Sequence, residues 1–99
     1  MKNVSEIQII ITRMAELLRI GGFSSWGCTL EKFHAEILNE PNETAAKILS
    51  LYGGMGSLND LIVCLDGIPL ISENNELDIL RLTLFQQCQT LRQINNRTN

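Results

Sequence analysis

Two apolar stripes, one near each end of the chain, restrict this sequence more than any other feature. Between Ser5 and Ile20, residues Ile7, Ile10, Ile11, Met14, Leu17 and Leu18 recur at the spacing of one helical face, with Glu6, Gln8, Arg13, Glu16 and Arg19 elsewhere. A second stripe opens at Glu73-Asn74-Asn75 and runs to about Gln93 through Leu77, Leu80, Leu84, Cys88 and Leu91, widened by Leu82 and Phe85. In a chain of 99 residues each stripe is the other's largest available cover, so the terminal helices are expected to pack together.

The segments between them carry their own start and stop signals. Ser5 is a candidate N-cap for the first helix, and Gly21-Gly22 supplies the positive φ that commonly ends one. Phe23 to Gly27 reads as a connection. Thr29 then caps a second helix through Asn39, burying Leu30, Phe33, Ile37 and Leu38. Glu40-Pro41 closes it, because proline disfavours α geometry in the residue before it, and Asn42 caps a third helix from Glu43 to Leu51.

After the glycine-dense turn Tyr52 to Ser57, residues 58–65 admit two readings. Ser57 followed by Asp60 imitates a capping box, and Leu58, Leu61, Ile62 and Leu65 keep helical spacing; the β-branched pair Ile62-Val63 favours a strand. The agreement of cap and spacing favours the helix. Asp66-Gly67-Ile68-Pro69 is a turn. The chain is therefore expected to be all-α, a compact single-domain bundle of about five helices spanning 1–99, with a polar frayed tail at 95–99. An apolar fraction of 44% is enough for such a core.

The N-terminus places Lys2, Asn3, Ser5 and Glu6 where a secretory signal needs an apolar run. The longest apolar run, Leu61 to Leu65, is far below the roughly 20 residues of a membrane span. Cys28, Cys64 and Cys88 form an odd set without a C-x-x-C pair, which suits reduced, buried thiols. A cytoplasmic protein is expected, and the N-x-S/T matches at Asn3, Asn42 and Asn96 are discounted with the secretory route.

Net charge is −3, but its distribution is uneven. Residues 36–78 carry Glu36, Glu40, Glu43, Asp60, Asp66, Glu73, Glu76 and Asp78 against Lys47 alone; residues 79–99 carry three arginines and no acid. Such a middle segment repels phosphate backbones and attracts a basic protein, so direct nucleic-acid binding is not expected. Solvated helix starts also account for acids placed this way.

No catalytic constellation is legible. His34 is the single histidine and lacks any nucleophile motif around it. Gaps of 6, 30 and 24 residues among Cys28, His34, Cys64 and Cys88 match no zinc spacing, so neither metal nor other cofactor is expected. Gly53-Gly54-Met55-Gly56-Ser57 resembles an anion cradle but lacks a P-loop lysine and has Asp60 nearby; a structural turn is the better reading. Trp26 and Tyr52, each at an element end, suit either core packing or interface anchoring.

The stretch Tyr52-Gly53-Gly54-Met55-Gly56-Ser57-Leu58-Asn59-Asp60-Leu61, with Trp26 upstream and Leu77, Leu80 and Arg81 downstream, resembles a group of small bacterial proteins with a YGGMGS-x-ND-L signature. Some of that group resemble immunity proteins of contact-dependent growth-inhibition systems, one of them paired with a toxin of ribonuclease A-like fold. The resemblance spans roughly residues 20–92 and implies a non-enzymatic cytoplasmic inhibitor, a monomer in a 1:1 complex. Its partner would be a basic toxin domain, a nuclease whose active site it blocks. Glu40, Glu43, Asp66, Glu73 and Glu76 are the expected ion-pairing set, with Trp26 and Tyr52 as anchors. The rivals are a self-associating helical adaptor, in which the terminal stripes meet across a two-fold axis, and a hydrolase using His34 with Glu31 or Asp60.

Overall fold

The computed structural model of the chain describes the backbone of residues 2–97 and the side chains of residues 3–94. Four α-helices occur among them: α1 (Lys2–Ile20), α2 (Ser24–Glu36), α3 (Pro41–Leu49) and α4 (Ile71–Arg97). A hairpin of two short strands, β1 (Cys64–Leu65) and β2 (Ile68–Pro69), precedes α4, and the fold is an all-α bundle. None of the described helices is long and apolar enough to cross a membrane.

The terminal helices do pack together, antiparallel. Asn3 Nδ2 donates to Gln87 Oε1 (2.5 Å) near one end, and Arg13 binds Glu76 further along. The whole α1 stripe is buried in one core shared with Leu30 of α2, Ile48 of α3 and Leu77, Leu84, Cys88 and Leu91 of α4. Burying each large aliphatic side chain contributes roughly 1.5–3 kcal/mol, so this shared core dominates stability. Val4 joins it, and α1 accordingly extends back past Ser5, which is an exposed helical residue and not a cap.

The first correction concerns residues 23–29. Phe23 N–H donates to Leu18 O (2.8 Å) and Gly22 N–H to Arg19 O (3.0 Å), with Gly22 at φ 84°; this paired closure ends α1 within two residues. The chain enters α2 at Ser24, and Trp26 and Gly27 are helical rather than connecting. Thr29 is not a cap: its hydroxyl donates back to Ser25 O (3.0 Å). Gly27 is buried beneath the Arg19 guanidinium, whose atoms would stand 3.1 Å from an added Cβ.

Helix α2 ends at Glu36, three residues short of Asn39, and Leu38 is exposed instead of buried. Pro41, not Asn42, governs the start of α3: it occupies the first turn, where its fixed φ fits and no N–H is required, with Glu40 as the preceding cap residue. Ser50–Tyr52 finish as a separate 3-10 turn.

The second correction is at 58–65, which is not a helix. Leu58–Asp60 form one 3-10 turn, and the chain is extended through Leu61 to Val63 into β1. The expected capping box fails because the Asp60 carboxylate accepts from Gly56 N–H (2.7 Å) and Ser57 makes no side-chain cap bond. Asp66 (φ 53°) and Gly67 (φ 79°) then form a tight two-residue turn, with Leu65 opposite Ile68 and Cys64 opposite Pro69. Asn74 clasps Val63 from α4, accepting its N–H (2.8 Å) and donating to its carbonyl (2.9 Å). That residue is a strand partner supplied by a side chain, and α4 begins before it, at Ile71. At the other end α4 runs through Arg97, into the tail expected to fray at 95–99; residues 98 and 99 lie outside the described residues.

Candidate protein-binding surface

The signature loop is held onto α4 by one arginine. Arg81 is 8% exposed; its Nη1 donates to Leu58 O (3.0 Å) and Leu61 O (2.9 Å), while Nη2 pairs with the Asp78 carboxylate. Tyr52 O–H donates to Arg81 O (2.7 Å), and its ring meets Phe85 edge-on at 5.0 Å. Burial holds the Tyr52 phenol well above its ordinary range. Asn59 Nδ2 donates to Tyr52 O (3.3 Å), and Gly54 and Gly56 take positive φ. These bonds fix the shape of the loop, with the buried Ser57 hydroxyl left without a protein partner, and the signature is architectural.

What this anchoring creates is a trough along α4. Tyr52, Asn59, Asp78, Arg81, Leu82 and Phe85 line a concavity of about 530 Å³. A second, of about 480 Å³, lies between α4 and the hairpin, with Ile62, Pro69, Ile71 and Asn75 on its walls, and shares Asp78 and Arg81 with the first. Ile62, Ile71 and Leu82 are 58%, 77% and 59% exposed, too much for core residues.

The expected acids do not share one surface. Glu40 and Glu43 are exposed at the start of α3. Helix α2 runs antiparallel to α1, with Gln8 Nε2 donating to His34 O (2.8 Å), so this start lies beside the N-terminal half of α1. Asp66, at the hairpin turn, and Glu73, in the first turn of α4, lie toward the opposite end of a molecule measuring 49 × 22 × 20 Å. Glu76 is occupied: Arg13 Nε and Nη2 reach its carboxylate at 2.6 and 2.9 Å, and these hydrogen bonds hold its carboxyl below the usual carboxylate range. Among the described residues, Glu40, Glu43, Asp66 and Glu73 form no ion pair, whereas Glu36 meets Lys47 at 3.6 Å.

Trp26 is half-buried against the core, beside a shallow depression formed with Ser25, Thr29 and Leu51; Tyr52 is half-buried in the trough wall. Sequence reasoning missed Asp78, Asn59, Ile62 and Ile71. The available signal was the width of the α4 apolar arc, because Ile71 and Leu82 fall off the face that carries Leu77, Leu84, Cys88 and Leu91.

Of the residues offered for catalysis, His34 and Glu31 stand one turn apart on α2. Glu31 is paired with Arg19 (2.6 Å), which lowers its pKa first through that hydrogen bond. Of the three thiols only Cys88 is buried; Cys28 is exposed on α2 and Cys64 half-buried on β1, so the expectation of three buried thiols is corrected. Among the described residues no three His, Cys, Asp or Glu side chains converge on a possible metal position.

A family model described as a domain of unknown function (DUF6966) matches residues 19–71, just over half of the chain. The match runs from the last turn of α1 through the signature loop and hairpin to the first residue of α4. No curated protein and no solved structure matches.

Proposed function

We propose that this chain, which belongs to the DUF6966 family of domains of unknown function, is an immunity protein. It acts in the cytoplasm, without enzymatic activity, by binding the C-terminal toxin domain of a contact-dependent growth-inhibition system and covering its active site. The toxin is a basic nuclease, of ribonuclease A-like fold if the signature resemblance extends to the partner.

One observation carries the reading: carboxylates on residues 36–78 that form no internal ion pair among the described residues, Glu40, Glu43 and Asp66 exposed and Glu73 half-buried. Carboxylates presented in this way attract a cationic cleft built for phosphates and speed encounter with it. Two of them lie toward each end, so one cleft receives one end. The hairpin end is favoured because the exposed apolar trough adjoins it, and tight binding needs desolvated apolar contact besides opposite charge.

The test is co-expression with the toxin-like domain encoded immediately upstream, followed by calorimetry on the purified pair. Host survival with nanomolar 1:1 binding is expected. Neither rescue nor binding would dismiss the immunity reading. The alternative is a self-associating adaptor, which would have to use surfaces other than the terminal stripes, since these lie in the core shared with α2 and α3. It retains the exposed Ile71, Ile79 and Leu82 as a possible contact, and a monomer at high concentration removes it.

A further inference from the structure

We infer that the trough along α4 is a receptor groove for a basic amphipathic helix of the partner protein. The inference rests on the inhibitor reading only for the identity of the protein that supplies the helix.

The groove floor is one face of α4, distinct from its core face. Ile71, Asn75, Asp78, Leu82 and Phe85 succeed one another at intervals of three or four residues, whereas Leu77, Leu84, Cys88 and Leu91 turn inward. The walls are Tyr52 and Asn59 beside Phe85 and Leu82, and Ile62 and Pro69 beside Ile71. At 1.5 Å per residue the floor from Ile71 to Phe85 is about 21 Å long, the length of a four-turn helix. Apolar groups at both ends of the floor with polar groups between them suit a docked helix whose apolar anchors recur at i, i+3 or i+4 and i+7 along one face.

Charge selects the occupant. Asp78 stands in the middle of the floor with its side chain 66% exposed. Arg81 is the only cation lining the groove, and its donors are turned onto Leu58 O, Leu61 O and Asp78. What the groove offers a visitor is acceptors: the outer face of Asp78 and the amide oxygens of Asn59 and Asn75. A helix with leucines at its anchor positions and lysine or arginine between them satisfies these groups. A second copy does not. Asp78 lies seven residues from both Ile71 and Phe85, so a two-fold pairing of α4 faces through this groove would set Asp78 against Asp78.

The experiment titrates the full chain against two labelled helical peptides of about 18 residues, one with leucine anchors and lysine flanks, the other with every lysine replaced by glutamate. Fluorescence anisotropy reports binding, and sedimentation velocity reports self-association. Saturable 1:1 binding of the lysine peptide is expected, at least about tenfold tighter than the glutamate peptide. Leu82→Lys and Ile71→Lys, both at exposed positions, weaken it by about tenfold or more with unchanged Tm, while Ile9→Lys on the exposed side of α1 leaves it intact. No saturable binding, or equal binding by Leu82→Lys and Ile9→Lys, overturns the groove. So does a dimer that Leu82→Lys dissolves, which would make the occupant a second copy. Peptide binding without toxin rescue would retain the groove and discard the immunity reading; toxin rescue without peptide binding would do the reverse.

Discussion

Arg81 is the residue on which the signature loop depends. It supplies donors to two buried backbone carbonyls that no neighbouring N–H reaches in a regular element, because the 58–61 segment is neither helix nor strand. Arg81→Met keeps the volume but leaves Leu58 O and Leu61 O unsatisfied, and should cost about 3 kcal/mol in urea denaturation. Arg81→Lys recovers only part of that, since an ammonium lacks the planar fork. Glu76 gives a pH signature. Its folded pKa is depressed by Arg13, so its contribution is present above the unfolded carboxylate value and is lost as pH falls through the folded one. The urea midpoint should therefore drop on acidification below about pH 4.5, and less steeply in Glu76→Gln. The thiols differ in the same physical terms. Burial pushes Cys88 up to about 12, whereas Cys28 is exposed. Alkylation of the native protein followed by mass spectrometry should modify Cys28 readily and Cys88 only after unfolding. Labelling of Cys88 at the rate of Cys28 would contradict the packing described for α4.

At the scale of elements, periodicity carries far and capping chemistry less so. The α1 and α4 stripes were legible because a repeating apolar face needs no knowledge of the partner; the α1 stripe and Leu77, Leu84, Cys88 and Leu91 lie in the core, whereas Leu80 and Phe85 are half-buried and Leu82 is exposed. The boundaries at Ser24 and Pro41 were not. A paired closure at Gly22 uses only two residues, and proline at a first helical turn starts a helix as readily as it ends the previous one. Residues 58–65 were misread for a different reason. Their fate is set by side chains that arrive from elsewhere: Arg81 from 20 residues beyond Leu61 and Asn74 from 11 beyond Val63. Asn74→Ala removes the bonds to both backbone groups of Val63 and one to Leu70 O. It should cost about 2–3 kcal/mol and raise amide exchange of Val63 and the hairpin before that of α1. Uniform exchange throughout the chain would mean that Asn74 is not the clasp of this segment.

At the scale of the molecule, sequence alone pointed to an acidic middle but could not distribute it. Antiparallel stacking of α2 on α1 and of α1 on α4 sends Glu40 and Glu43 toward one end and Asp66 and Glu73 toward the other. Their separation follows from tertiary order, which no local pattern contains. Glu40, Glu43 and Asp66 are exposed and Glu73 is half-buried, so either pair can raise the encounter rate with a cationic partner, and both effects should fade as salt shortens the Debye length to a few ångströms. Only the pair nearer the groove can be desolvated at the contact. Asp66→Lys/Glu73→Lys should therefore weaken toxin binding by about 2–5 kcal/mol, largely through faster dissociation. Glu40→Lys/Glu43→Lys should slow association by a salt-dependent factor and leave dissociation unchanged. Stopped-flow and surface-plasmon kinetics at low and high salt separate the two outcomes. If the α3 pair instead controls dissociation, the inhibitory face lies at the other end of the bundle, and the groove along α4 serves a different contact.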